Sequence, residues 1–264
     1  MLGMLRAIWA YRFFILSSIR NDLRARFVRS KLGGLWMIIH PLAQVLIFTL
    51  ILSEVLAAKL PGIDNKYAYS LYLMAGTLAW SLFSETINKC AVLFVENANL
   101  IKKMAFPRIC LPLIAGGTML VNNMLLLLAI FGVFATLGHM PGPQVVWLPV
   151  LMVVTLLLAL AVGMILGILN VFMRDIGQVV PVVLQALFWM TPIVYMLDIL
   201  PANYRNAFAH NPLYPLVSSY QNVLVFDKPP LLPELARFVV VCLGLLVVAL
   251  VMFRRASAEM VDAL

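Results

Sequence analysis

The sequence predicts an all-α integral membrane protein with six transmembrane helices, and three observations carry that prediction. From Ile109 to Met173 the chain holds no Asp, Glu, Lys or Arg. That stretch accommodates two crossings, because about 20 apolar residues span roughly 30 Å of hydrocarbon. Hydrophobic residues make up 64% of the 264 residues and charged ones 11%, against about a quarter charged in soluble domains, which excludes a soluble core. The net charge of +8 comes from Lys and Arg crowded at the ends of apolar segments rather than spread over a face with stacking aromatics. It reads as a membrane-orientation signal and not as a nucleic-acid surface.

The elements follow in chain order. Met4 to Lys31 carries Leu5, Trp9, Leu16, Leu23 and Phe27 at helical spacing among arginines, a helix expected to lie along the inner membrane surface. Arg12 interrupts its apolar stripe. Residues 1–35 form this interface element, and no small-residue cleavage site follows a clean apolar core, so no cleaved signal peptide is expected. Six spans then read as Trp36 to Leu56, Ala68 to Lys89, Ile109 to Leu137, Val145 to Met173, Ile176 to Leu197 and Leu235 to Phe253. The third and fourth are joined at Gly138-His139-Met140-Pro141-Gly142-Pro143, a run of turn formers. With no internal repeat, residues 1–264 read as one domain, the bundle over 36–254 and a cytoplasmic tail over 255–264. An even number of crossings puts both termini on one side. Of the 19 Lys and Arg residues, 14 fall on the side of the termini and five on the other, which assigns both ends to the cytoplasm.

Two connections look structured. Glu96 to Arg108 mixes Lys102 and Lys103 with Leu100, Ile101 and Phe106, and exposed apolar residues in a cytoplasmic connection call for a protein partner. Asp198 to Glu234, on the external side, is punctuated by Pro201, Pro212, Pro215, Pro229, Pro230 and Pro233. It is too apolar for a free loop and is expected to dip back into the outer leaflet.

The sequence also limits the chemistry. No G-x-x-x-x-G-K-[ST] occurs, so the chain has no P-loop of its own, and if it transports actively with ATP, another subunit supplies the ATPase. His40, His139 and His210 fall at different depths, and Cys90, Cys110 and Cys242 lack metal or redox spacing. No catalytic, metal or cofactor site is expected. Glu85 and Lys89, four residues apart, read as a local ion pair near the cytoplasmic end of the second span. Gly163 and Gly167 form a G-x-x-x-G that lets another helix approach closely, and Asn122, Asn123 and Asn170 read as interhelical hydrogen-bond groups.

One pattern is sharper. Tyr69, Tyr72, Gly76, Trp80 and Phe83 fall within roughly 80° of one another around the second span at about 100° per residue. Aromatics facing lipid concentrate at the interfaces, whereas Gly76 and Trp80 fall near mid-depth. Two readings stand: packing against a neighbouring helix, or the lining of a pore.

Four stretches together resemble the membrane (permease) subunits of ABC-2-type polysaccharide exporters of the Wzm kind, which export O-antigen, capsule or wall polymers. They are Arg29 to Trp36 leading to Pro41; Asn97-Ala98-Asn99-Leu100-Ile101-Lys102-Lys103 leading to Phe106-Pro107-Arg108; Asn170 to Arg174-Asp175 leading to Pro181 and Thr191-Pro192; and Asn211-Pro212-Leu213 followed by Tyr220. They cover nearly the whole chain in the family's order. The resemblance implies a homodimer in the bacterial inner (plasma) membrane on two copies of a Wzt-like ABC ATPase, moving a lipid-linked polysaccharide of the O-antigen type. It implies that Asn97 to Lys103, with Phe106, is the coupling helix that docks on the ATPase, that Arg174 and Asp175 form a cytoplasmic loop, and that the external Pro-rich stretch holds gate helices. An ABC-2 exporter of a drug or lipid would share this fold. A membrane-embedded enzyme acting on lipid-linked sugars would need converging carboxylates or histidines, which the sequence does not offer.

The topology is checked by impermeant maleimide labelling of single cysteines. A cysteine at Gly142 is expected to label from outside, and one at Lys103 only after the membrane is opened. The reverse pattern overturns the assignment of every loop.

Overall fold

The computed structural model describes residues 6, 8–28, 35–49, 68–103, 106–197, 211–257 and 259–263. The described residues contain helices and no strand: α1 (Arg12–Val28), α2 (Trp36–Thr49), α3 (Ala68–Glu96), α4 (Ala98–Lys103), α5 (Cys110–Thr136), a 3-10 turn at Pro143–Trp147, α6 (Leu148–Phe172), α7 (Ile176–Met190), α8 (Tyr214–Leu224), α9 (Leu232–Ala256) and α10 (Glu259–Ala263). Prolines mark several starts. Pro149, Pro215 and Pro233 stand in the first turn of α6, α8 and α9, where a missing N–H has no intrahelical partner to lose. In α9, Glu234 in the first turn and Arg254 and Arg255 in the last match the helix dipole.

Four stretches are long and apolar enough to cross a membrane: Ala68–Glu96, Cys110–Thr136, Pro143–Phe172 and Leu232–Ala256. They are the second, third, fourth and sixth expected spans. The first is helical from Trp36 to Thr49, and the rest of it lies outside the described residues. The fifth departs from expectation. Instead of running to Leu197, α7 ends at Met190 after 15 residues, a rise of about 22 Å. Thr191 turns extended ahead of Pro192, as a residue before proline favours.

The axis of the fold is α3, which packs most extensively on α6 and also against α5, α8, α2 and α7. Gly163 and Gly167 set the α3–α6 approach. A methyl at Gly163 would stand 2.6 Å from Cys90 Cβ, and one at Gly167 would collide with the Cys90 carbonyl oxygen. The G-x-x-x-G therefore serves a contact within the subunit. Asn170 continues this seam: its Nδ2 donates to the Ala91 carbonyl (2.9 Å) and its Oδ1 accepts from the Gly177 N–H (2.9 Å), joining α3, α6 and the start of α7. Nearer the other end, Asn123 Nδ2 on α5 donates to the Leu78 carbonyl and to Ser81 Oγ, both at 3.0 Å. These are two of the three asparagines the sequence pointed to as interhelical groups.

Local chemistry ends α5. Gly138 has φ +72°, which glycine adopts without steric cost. Its N–H bonds the Ala135 carbonyl (3.2 Å) while the His139 N–H bonds that of Phe134 (2.9 Å). This is the Schellman arrangement, with the expected apolar contact supplied by the Phe134 and His139 rings 5.4 Å apart. The cysteines Cys90, Cys110 and Cys242 are buried and free.

The ion pair formed by Lys89 differs from expectation. Because α3 continues to Glu96, Lys89 Nζ reaches Glu96 Oε2 at 2.9 Å, two turns on, while Glu85 lines a small cavity with Ser81, Asn122 and Asn123. Both partners of the pair are partly exposed, so the contact contributes at most about 1 kcal/mol.

The helix seam gives a direct test. Gly167→Leu is expected to lower membrane accumulation and thermal stability in detergent, since overpacking costs roughly 1–3 kcal/mol or more. Gly132→Leu, where nothing lies within 4 Å of the added carbon, is expected to leave both unchanged. Equal behaviour of the two variants would show that α3 and α6 do not meet at Gly167.

Candidate functional site

One end of the bundle gathers the N-terminal helix, the short α4 and the C-terminal segment. Six residues cannot hold a helix alone, so neighbours fix α4. Asn97 opens it: its carbonyl accepts the Ile101 N–H (3.0 Å) and its Nδ2 donates back to the Leu93 carbonyl (2.8 Å). Ala98 is half-buried, and Asn99, Lys102 and Lys103 are exposed. Leu100 is half-buried on the wall of a cleft of about 380 Å³ that separates α1 from α3, α4 and α5. Ile101, expected on an exposed docking face, turns inward instead. It is 5% exposed and joins a cluster with Phe94, Val171, Phe253 and Met260. The surface left for a partner is polar and basic.

Beyond α4, the Phe106 ring lies 5.7 Å from Phe14 of α1, and the Arg108 guanidinium donates to the Ser257 carbonyl and to Ser257 Oγ, the latter at 3.0 Å. Arg174 and Asp175 are exposed in the α6–α7 turn, where the Asp175 carbonyl accepts the N–H groups of Gln178 and Val179. Trp9, 71% exposed just before α1, continues into the outward edge of the helix with Phe13 and Leu16, the latter 63% exposed. Arg12, the apparent flaw in this stripe, lies over the Trp9 and Phe13 rings at 5.0 and 4.4 Å. A cation stacked on aromatics is compatible with an apolar edge at a membrane surface. Leu23 is half-buried, while Leu5 and the Phe27 side chain lie outside the described residues.

At the opposite end, the aromatic face of α3 meets the broken fifth span. Tyr69 Oη donates to the Val194 carbonyl, and Tyr72 Oη approaches those of Pro192 (3.2 Å) and Tyr195 (3.3 Å). Gln221 Nε2 of α8 also donates to Pro192 (3.3 Å). Non-helical backbone at membrane depth requires such partners. Gly76 makes the room: a carbon added there would stand 3.0 Å from Ile193 Cγ2 and 3.1 Å from Gln221 Nε2. Tyr69, Tyr72 and Phe83 are buried, and Trp80 is half-buried between Phe83 and Phe188, with ring centroids 5.7 and 5.5 Å away. Of the external Pro-rich stretch, residues 198–210 lie outside the described residues, and α8 sinks Tyr220 fully into the core with its hydroxyl 3.1 Å from Thr155 Oγ1.

A third surface escaped the sequence reading. Gln178, Val182, Gln185 and Trp189, spaced 4, 3 and 4, share one face of α7 within roughly 60°, and all four are exposed, Trp189 by 49%. Neither glutamine side chain has a hydrogen-bond partner among the described residues. The same periodicity that singled out the aromatic face of the second span would have found this one. Nothing in the sequence flagged Met260 or the bond between Arg108 and Ser257, which join segments far apart in the chain.

Comparison with known proteins follows these features closely. The chain is 27% identical over 266 residues, spanning the whole of both chains, to the O-antigen export system permease protein RfbA of Myxococcus xanthus. It is 29% identical over 218 residues to the protein of the same name from Klebsiella pneumoniae, covering 81% of this chain and 82% of the relative. Over 200 residues it is 25% identical to the polysialic acid transport protein KpsM of Escherichia coli, covering 75% of each. The family model described as ABC-2 type transporter matches residues 14–225, from α1 through the end of α8, and this multi-pass membrane protein therefore belongs to the ABC-2 type transporter family.

Proposed function

We propose that the chain is the transmembrane subunit of an ATP-driven exporter of a lipid-linked polysaccharide of the O-antigen type. It works as a pair of copies in the bacterial inner membrane, with both termini in the cytoplasm and ATP and Mg bound by two copies of a separate ATPase chain. The relatives' activities supply the substrate class, and the α7 face carries the reading. Gln185 lies ten residues past Asp175, about 15 Å along the helix and so near mid-depth of a roughly 30 Å membrane. An amide facing hydrocarbon without a partner costs several kcal/mol, so this face fronts water or polar ligand.

A glycan suits such a surface. Sugar hydroxyls take amide hydrogen bonds, while the C–H face of a pyranose stacks on an indole. Each contact is weak and replaceable, which passage of a long polymer requires. With α7 of two copies facing each other, the glutamines and Trp189 would form the conduit. The stripe of Tyr69, Tyr72, Gly76, Trp80 and Phe83 would act from behind it, holding the broken segment Thr191 to Tyr195 that caps the outer end of α7. On the cytoplasmic side, Asn99, Lys102 and Lys103 would make the ATPase contact, with Leu100 at its edge and Ile101 as the inward anchor.

Two substitutions test the conduit. Gln185→Leu suits lipid better than glutamine does, so a lipid-facing position would tolerate it. On the proposed reading Gln185→Leu and Trp189→Ala each lower polymer export about tenfold, the scale of one lost specific contact, while accumulation and ATP hydrolysis are retained. Normal export by both variants overturns the conduit assignment. Docking has its own test. The double variant Lys102→Glu with Lys103→Glu is expected to abolish co-purification of the ATPase while the membrane subunit still inserts, and undiminished co-purification means that α4 is not the contact.

A further inference from the structure

We infer that the C-terminal hook, Ser257 together with α10 (Glu259–Ala263), is the positioning element that makes α4 move with the bundle rather than independently of it. This rests on the reading of α4 as the ATPase contact. Three observations converge. Met260 is fully buried, 0% exposed, in the same cluster as Ile101. The α10 helix that carries it packs on both α6 and α4. Arg108, at the far end of the α4–α5 connection, holds Ser257 by two hydrogen bonds from its guanidinium. The hook lies beyond residues 14–225, which match the family model.

The mechanical consequence follows from how little else holds α4. Its outward residues Asn99, Lys102 and Lys103 are exposed, and a six-residue helix has no stability of its own. A force applied at those lysines is carried inward by Ile101. It shares a buried cluster there with Met260, Val171 and Phe253, which belong to α10, α6 and α9. The Phe253 ring lies 5.9 Å from Phe94 near the end of α3, so the push reaches α3, α6 and α9 together. Without Met260, Ile101 would lose one wall of its socket, and α4 could tilt without moving the spans.

The test uses the assembled transporter in membrane vesicles. It measures ATP hydrolysis, polymer export and bound ATPase in the same preparation. Met260→Ala is expected to keep ATPase association and hydrolysis while export per ATP hydrolysed falls about tenfold, with Met260→Leu restoring it. A merely structural residue would lower all three readouts in proportion to accumulation. Arg108→Gln, which leaves the apolar socket intact, is expected to reduce export per ATP by a smaller factor, and it decides the matter if Met260→Ala fails to accumulate. Export per ATP unchanged in Met260→Ala, or in Arg108→Gln where that variant decides, overturns the inference. If the Lys102, Lys103 double variant also keeps its ATPase, the docking reading fails with it. If that variant loses its ATPase, only the role of the hook fails.

Discussion

The contact on which the rest of this structure depends is the approach of α6 to α3 at Gly163 and Gly167. In a bilayer no hydrophobic effect drives helix against helix, so packing and interhelical hydrogen bonds must do it. Two glycines spaced by four let the α6 backbone reach the Cys90 backbone, and Asn170 then spans the same seam to the Ala91 carbonyl. Everything at the α4 end is registered against that seam. Phe94, Ile101, Val171 and Met260 cluster within a few residues of it in sequence or in space, and Asn170 Oδ1 also receives the first turn of α7 through Gly177. A shift between α3 and α6 would therefore be felt both at α4 and at the start of α7.

The fifth span shows the second constraint, that no backbone carbonyl can be left unpaired in hydrocarbon. Breaking the helix at Thr191 frees carbonyls from Met190 to Tyr195, and side chains from three elements collect them. Asn211 takes that of Met190 (3.0 Å), Tyr72 and Gln221 share that of Pro192, and Tyr69 takes that of Val194. A short α7 is thus compatible with the membrane because the aromatic face of α3 carries hydroxyls where a uniformly apolar helix would carry none. The broken segment and the packing of α3 draw on the same tyrosines.

The sequence made the spans legible because periodicity and the absence of charge are local properties, and four of the six emerged as full-length helices. It made the Gly163, Gly167 motif and the Asn170 and Asn123 bonds legible as types, though not their partners, since Cys90, Ala91 and Leu78 offer only backbone. The break at Thr191 was missed because Ile193 to Leu197 is as apolar as a helix. Tyr69 and Tyr72 far upstream, with Asn211 and Gln221 downstream, satisfy the non-helical path there. Ile101 was read as exposed because it sits in a short polar connection, whereas it is buried in one cluster with Met260, more than 150 residues away. Lys89 was paired with Glu85 because the expected span stopped at the lysine, and two further turns of α3 brought Glu96 within reach.

These misses share a physical origin. An apolar residue in a short connection is either a docking surface or a plug in its own chain, and local composition is the same in both cases. The decision is made by whichever distant segment returns to cover it. Here the C-terminal hook returns and is fastened by Arg108 to Ser257, so Ile101 is covered and the basic tip of α4 remains outward. The α7 face is the converse. No segment among the described residues returns to cover Gln185, and its amide carries the mark of that vacancy as an unpaired polar group at mid-depth. Covered apolar residues at the α4 end and an uncovered polar face along α7 thus give one chain two kinds of surface, one closed by the fold itself and one left open by the described residues.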